Sequence, residues 1–171
     1  MGGLARLLVI AAIGWGARSA SADVGVVVTG EPGMQGFTIA QVQGWLQDNG
    51  YALVAAPLGD KYHTFIDCFV IEDLKCARMA YETQSKAESL VFTRVDLVPS
   101  GKDRELSVTG YWFVKQRDPV ILKRPCLQCD DAALQRVITA LMVEMARESG
   151  LAMARLEITS KQPGMVVMVD N

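Results

Sequence analysis

The residues with the clearest chemical potential in this sequence are four cysteines arranged in two close pairs. Seven residues separate Cys68 from Cys76, and two separate Cys126 from Cys129. An oxidising compartment lets such pairs close as disulfides, and four cysteines allow three pairings. Proximity favours Cys68 with Cys76 and Cys126 with Cys129, while another pairing would crosslink the middle of the chain to its last helix. Because short loops lose little chain entropy, we expect each near-neighbour bond to contribute about 2 kcal/mol or less.

Two other uses of sulfur compete with structural disulfides. Cys126 and Cys129 flank a two-residue spacer between a predicted strand and a predicted helix, where a thioredoxin-type redox motif lies, and a helix N-terminus lowers a thiol pKa. Asp130 and Asp131 follow directly and disfavour a thiolate, and no later strand carries a plausible cis-proline. A zinc site from all four cysteines would use spacers of about two to four residues, which the first pair lacks. The pattern therefore favours disulfides.

Other catalytic candidates are few. His63 is the single histidine, and we interpret it as a loop residue. The segment 100–102 (Ser-Gly-Lys) lacks the upstream glycine of a phosphate-binding loop. Three acidic residues could supply an acid and a base, but are more typical of a solvated face: Asp67, Glu72 and Asp73. We therefore expect no enzymatic activity, no cofactor and no metal.

The first 22 residues are typical of a cleavable signal peptide. Arg6 gives the positive start, the run Leu7–Ile13 is apolar, and small residues at 20–22 precede a cut before Asp23. The run is shorter than the roughly 20 residues that a spanning helix needs, although an uncleaved anchor is the alternative. No cysteine lies near the cut, so we do not expect lipoprotein attachment. We expect a periplasmic or secreted protein, with outer-membrane association as a further option and no stable membrane span after cleavage.

Charge and length limit the classes of partner. Cleavage removes Arg6 and Arg18 from the 17 basic residues and leaves 15 against 19 acidic ones, a formal charge of −4. No basic stripe is present, so nucleic acid and anionic membrane are poor partner candidates. The remaining 171 − 22 = 149 residues suit one domain that buries its own core.

The hydrophobic pattern predicts an α/β (α+β) domain over residues 23–150, followed by a β tail over 151–171. We expect a mixed sheet with an antiparallel meander, two to three packed helices and a C-terminal β-hairpin. The predicted order is β-α-β-α-β-β-β-α. The strands are expected around Val24–Thr29 and at Tyr51–Ala56, Glu88–Val98, Glu105–Lys115 and Val120–Lys123, and the helices from Thr38 after a turn at Glu31–Gly33, over Asp73–Tyr81, and from Asp130 to Ser149.

The segment 156–171 resembles the opening of a PEGA domain. Such domains begin with a strand, a Ser-Lys-Pro-like turn with glycine, and a second strand that ends in Val-Asp-Gly. The matching residues are Ser160, Pro163, Gly164, Val167, Val169 and Asp170. Gln162 is an altered turn residue and Asn171 replaces the usual glycine. The resemblance covers 16 of 171 residues and implies a truncated relative of envelope proteins that join an N-terminal domain to small β-rich modules.

The preceding region resembles the N-terminal regions of exported PEGA proteins of the myxobacterial type. Its hallmark is Arg-Pro-Cys-x-x-Cys leading into an amphipathic helix, as in Arg124–Leu141. The domain is also similar, loosely, to the N-terminal domain of periplasmic TolB-type proteins. These resemblances imply binding or scaffolding and supply no catalytic residues.

We therefore expect a non-enzymatic envelope interaction or scaffold domain whose partner is an envelope protein or a glycan. Exposed strands near residues 156–169 could pair with the edge of a partner sheet. The alternatives are a thiol–disulfide oxidoreductase that uses Cys126 and Cys129, or a truncated product without independent function.

Overall fold

A computed structural model of the protein describes residues 22–98 and 105–151. These residues form an α+β fold with a five-stranded mixed sheet and four α-helices. The elements are β1 (Asp23–Gly30), α1 (Pro32–Asp48), β2 (Ala52–Val54), α2 (Tyr62–Val70), α3 (Leu74–Gln84), β3 (Ser89–Val98), β4 (Glu105–Val114), β5 (Val120–Cys126) and α4 (Asp131–Glu148). The predicted fold class is confirmed.

The sheet has the strand order β2-β1-β3-β4-β5. β1 is parallel to both β2 and β3, whereas β3, β4 and β5 form an antiparallel meander. Val91 of β3 aligns with Trp112 of β4, which in turn aligns with Val120 of β5. The mixed sheet with its meander is therefore the one that the alternating strand pattern predicted, and β5 forms one of its edges.

Helices cover both faces of the sheet, which gives two separate apolar layers. Successive side chains of a strand point to opposite faces, so neighbours such as Trp112 and Phe113 are buried in different layers. We call the face under α1 and α4 the first face and the face under α2 and α3 the second face. The first layer includes Val42, Leu46, Leu134, Ile138, Leu141, Met142 and Met145, and the second includes Phe65, Cys68, Ala77, Ala80 and Tyr81.

The start of α1 differs from the prediction. The helix begins at Pro32, so the segment Glu31–Gly33, expected as a turn, is its N-cap and first turn. Proline suits the first helical position because its missing N–H has no intrahelical acceptor there. Thr38, where the helix was expected to begin, lies inside the helix with its side chain fully buried.

The middle of the chain contains one more helix than predicted. α3 matches the helix expected over Asp73–Tyr81, and the Asp73 carboxylate caps it by accepting a hydrogen bond from the Cys76 N–H at 2.9 Å. α2 was not predicted, so four helices are present instead of two to three. β2 is shorter than expected, and β5 continues to Cys126 instead of ending at Lys123.

Several predictions concern residues outside the described part. These are the signal peptide up to residue 21, the hairpin loop over 99–104 and the β tail from residue 152 onward, including the segment that resembles a PEGA domain. None of the helices within residues 22–98 and 105–151 has the length and apolar character needed to cross a membrane.

The two ends of the described chain lie at the same end of the sheet. The Ala52 N–H donates to the Ala22 carbonyl at 3.2 Å, next to the first residue of β1. The Tyr51 hydroxyl donates to the Leu151 carbonyl just beyond α4. Arg117, between β4 and β5, donates to the Ser149 carbonyl at 3.0 Å. Ala22 and Leu151 are therefore both held by hydrogen bonds to the adjacent residues Tyr51 and Ala52.

Candidate functional site

The four cysteines form two disulfides in separate parts of the fold. Cys68 is bonded to Cys76, and Cys126 to Cys129, with Cα–Cα distances of 5.5 and 5.2 Å. These are the pairings favoured by sequence proximity. Cys68 belongs to the second layer of the core, whereas Cys126 and Cys129 belong to the first. Because the sheet separates the pairs, the four sulfur atoms do not converge on one zinc site, and no bond crosslinks α2 or α3 to α4 in the described chain.

The bond between Cys126 and Cys129 lies in surroundings that favour a structural role. The two residues are only 2% and 6% exposed. The Asp130 carboxylate accepts a hydrogen bond from the Ala133 N–H at 2.6 Å and so places a negative charge at the start of α4. Reactive cysteines are partly exposed, whereas both residues of this pair are buried.

The other residues singled out from the sequence lie mostly at the surface. His63 is exposed in the first turn of α2 and not in a loop, and its ring contacts Tyr62 edge-to-face at 5.5 Å. Asp67 is exposed on α2, and Asp73 is the α3 cap. Glu72 is exposed at the turn between the two helices. Of the three acidic residues, Asp73 therefore has a structural role as a cap, and the other two are exposed.

The turn from the last residue of α2 into α3, residues Val70–Asp73, is held in one conformation. The disulfide closes its base, the Ile71 N–H donates to the Asp67 carbonyl at 3.1 Å, and the Asp73 N–H donates to the Cys68 carbonyl at 2.8 Å. Glu72 has a φ of +56°, a left-handed conformation that costs a non-glycine residue about 1–3 kcal/mol and persists only where its surroundings impose it.

The same turn presents two aliphatic side chains to solvent. Val70 is 75% exposed and Ile71 is 68% exposed, directly after the half-buried Phe69. A pair of adjacent aliphatic residues at this exposure leaves apolar area in contact with water, which is unfavourable unless another surface covers it. The turn therefore combines a fixed backbone with uncovered apolar side chains.

Aromatic rings form the floor beside this turn. The Phe69 ring lies 4.1 Å from the Phe92 ring and 4.9 Å from the Tyr111 ring, measured between centroids. Phe92, Tyr111 and Ile121 are aligned across β3, β4 and β5 on the second face. α2 and α3 pack over Phe92, but Ile121 on the edge strand remains exposed. The floor is thus half covered by helices and half open.

Two adjoining clefts open along this floor, with volumes of about 360 and 270 Å³. Phe69, Glu72 and Arg94 line both clefts, and Tyr111 and Ile121 line the smaller one. Arg94 and Glu72 therefore lie beside an aromatic surface. We call this set the turn surface: Phe69, Val70, Ile71, Glu72, Arg94, Tyr111 and Ile121.

Charged groups surround the Tyr111 hydroxyl. Burial raises its pKa above the ordinary value, Arg94 acts in the opposite direction, and Asp96 and Glu72 raise the pKa further. The Arg94 guanidinium is paired with the Asp96 carboxylate at 2.8 Å. The phenol is therefore neutral at physiological pH and can donate a hydrogen bond. Protein interfaces typically have aromatic residues and arginine at their centre and charged residues at their rim, and the turn surface has this composition.

Sequence reasoning found the cysteines that frame the turn surface but missed the residues of its floor. Tyr111 alternates with the apolar residues of β4 and shares the second face with Ser107 and Thr109. That face assignment could have suggested a surface, but Arg94 and Ile121 join it only through strand pairing.

The sequence matches no known protein-family profile and no curated protein. Two solved structures have a related arrangement. Lipoprotein GNA1162 from Neisseria meningitidis has a TM-score of 0.46 and 11% identity, over 73% of this chain and 96% of that one. A minor lipoprotein from Acinetobacter baumannii has a TM-score of 0.37 and 14% identity, over 78% and 96%. Both TM-scores are too low for the properties of those lipoproteins to be carried over to this chain.

Proposed function

We propose that the chain is an exported, non-enzymatic interaction domain that binds another envelope protein through the turn surface. The observation that carries the proposal is the disulfide-closed turn, which holds Val70 and Ile71 in solvent directly after Phe69. Phe69 and Arg94 line one cleft with Val70 and the adjoining cleft with Tyr111. A surface whose conformation is fixed before binding loses less conformational freedom on association, so more of its contact energy contributes to affinity.

Two features of the chain support export: the pattern of its first residues and the state of its cysteines. The first 22 residues have the pattern of a signal peptide, and all four cysteines of the described chain are in disulfides, which form and persist in oxidising compartments. The resemblance of residues 156–171 to a PEGA opening fits a domain connected to further envelope modules. Ala22 and Leu151 lie at the same end of the sheet, so modules attached there would not cover the turn surface at their points of attachment.

In this proposal the cysteines have a structural role and no catalytic one. If Cys126 and Cys129 formed a thiol–disulfide active site, the protein would reduce insulin with dithiothreitol faster than a Cys126→Ser variant does. We expect equal, background rates for both proteins, because the two residues are buried and an acidic cap follows them. A clear excess rate that the substitution abolishes would support the oxidoreductase alternative.

The binding proposal is tested with a variant of the turn and a matched control. Val70→Ser/Ile71→Ser removes the exposed pair, and Val143→Ser removes an aliphatic side chain that is 54% exposed on α4, away from the second face. Tagged full-length proteins are expressed in the native host, crosslinked and purified, and recovered proteins are quantified by mass spectrometry. Circular dichroism and the melting temperature verify that each variant folds.

We expect a partner that the wild-type and Val143→Ser proteins recover equally and that the double variant recovers at least about tenfold less. Each lost aliphatic contact of about 1 kcal/mol lowers affinity roughly fivefold. Identical recoveries from all three proteins would contradict a role for the turn surface.

A further inference from the structure

The second face of the sheet continues beyond the turn surface to another cleft. This distal cleft has a volume of about 390 Å³ and lies where β3 ends, β4 begins and β5 ends. Its lining is largely apolar, with one lysine, one glutamate and one serine. The lining includes Val98, Glu105, Ser107, Lys123, Pro125 and Leu127.

Ser107 gives the distal cleft a polar group that the domain itself does not use. The residue is 7% exposed, and its hydroxyl has no hydrogen-bond partner among the described residues. Its cross-strand neighbours are Asp96 and Pro125, and proline has no N–H to offer. A buried hydroxyl without a partner is costly, so a ligand group that bonds to it gains that energy. The rest of the lining, with Leu127 64% exposed, suits an apolar side chain.

A row of polar residues, which begins at Arg94 of the turn surface, lies between Tyr111 and the distal cleft. Arg94, Thr109 and Lys123 are aligned across β3, β4 and β5. Arg94 is already paired with Asp96. Lys123 is exposed, and no carboxylate of the described residues lies within 4 Å of its ammonium group, so the row carries a positive charge available to a partner.

The spacing of these features fits an extended chain. From Tyr111 to Ser107 is four residues along β4, about 13 Å at the rise of a strand. An extended peptide has nearly the same rise, and its residues i, i+2 and i+4 point to one side. Residue i would therefore lie on the turn surface, residue i+2 over the row with Lys123, and residue i+4 in the distal cleft.

We propose that the bound segment of the partner is an extended peptide with the pattern apolar–x–acidic–x–apolar, lying on the second face along β4 and β5. Its first apolar side chain covers Tyr111 and Ile121, its acidic side chain pairs with Lys123, and its last apolar side chain packs against Leu127 in the distal cleft, where Ser107 bonds to a polar group of the peptide. This assignment rests on the proposed function and specifies the class of partner that the turn surface takes.

The test uses fluorescent nine-residue peptides with the full-length protein. One set carries leucine at i and i+4 and glutamate at i+2, a second set carries lysine at i+2, and a third places the second leucine at i+3. We expect the first set to bind at least tenfold more tightly than the others. Lys123→Glu is expected to reverse the preference between glutamate and lysine, whereas Lys86→Glu, at an exposed lysine outside these clefts, leaves it unchanged.

Two further variants separate this inference from the proposed function. Leu127→Ser is expected to weaken the glutamate peptides about tenfold, as is Val70→Ser/Ile71→Ser. If only the turn variant reduces recovery of the envelope partner, and Lys123→Glu and Leu127→Ser bind partner and peptides like the wild type, the extended path is wrong but the turn surface stands. If no peptide of the pattern binds while the wild type still recovers its partner, the inference is overturned. If the turn variant has no effect on the partner, both proposals fall.

Discussion

The bond between Cys68 and Cys76 is predicted to contribute more to stability than the other disulfide. It joins residues eight apart, whereas Cys126 and Cys129 are three apart. In the chain-entropy description of a crosslink, closing loops of these sizes stabilises the fold by about 2.5 and about 1.6 kcal/mol. The first value lies slightly above the limit of about 2 kcal/mol expected from sequence spacing.

The perturbation is the double substitution Cys68→Ala/Cys76→Ala. Beyond the entropy of loop closure, it releases the turn in which Glu72 is held at positive φ, so the turn is expected to relax. A loss of about 2.5 kcal/mol lowers the melting temperature of a domain of this size by about 5–10 °C. Urea unfolding followed by the fluorescence of Trp112, which is fully buried, measures the change.

The matched control is Cys126→Ala/Cys129→Ala. It should cost about 1 kcal/mol less, because Cys126 and Cys129 close a shorter loop. Removal of the Cys68–Cys76 bond should also weaken partner binding through the loss of a preformed turn. Free thiols in freshly purified exported protein, or equal stability of the oxidised and reduced wild type, would refute the reasoning.

Three further predictions follow from single residues. Asp130→Ala should cost about 1 kcal/mol in urea unfolding, because the cap bond to the Ala133 N–H is lost. Gly30→Ala should cost about 3 kcal/mol, because Gly30 has a φ of +110° and an added Cβ would overlap the Val95 carbonyl; the unfolding midpoint measures it, and a change under 1 kcal/mol would contradict the geometry. Burial raises the pKa of Tyr81 above the unfolded value of 10.0. The contribution of the neutral phenol to the free energy of unfolding is therefore complete below pH 10 and falls above it, by about 1.4 kcal/mol per pH unit. Tyr81→Phe should flatten this pH dependence of the unfolding free energy.

Patterns within one element predicted much of the fold. The apolar stripe that begins at Leu134 predicts α4, and alternation predicts β3, β4 and their antiparallel pairing. The start of α1 was missed because Pro32 next to glycine was interpreted as a turn, although proline also suits the first turn of a helix. α2 was missed because it is only nine residues long, too short to repeat its apolar spacing over several turns.

The candidate site was only partly predictable. Proximity in sequence sufficed to pair Cys68 with Cys76, since the bond depends on local geometry. The floor depends on the order of strands in the sheet, which brings Arg94, Tyr111 and Ile121 together from three strands. Exposure of Ile71 depends on the packing of two helices and has no signature in a single sequence.

Photocrosslinking in the native host tests the central claim most directly. A photoreactive amino acid replaces Ile71 in one full-length protein and Val143 in another, two exposed aliphatic positions on different faces of the domain. We predict a discrete crosslinked product of the exported, disulfide-bonded protein at position 71 and none at position 143. Products of equal intensity at the two positions, or none at position 71, would contradict a partner bound at the turn surface.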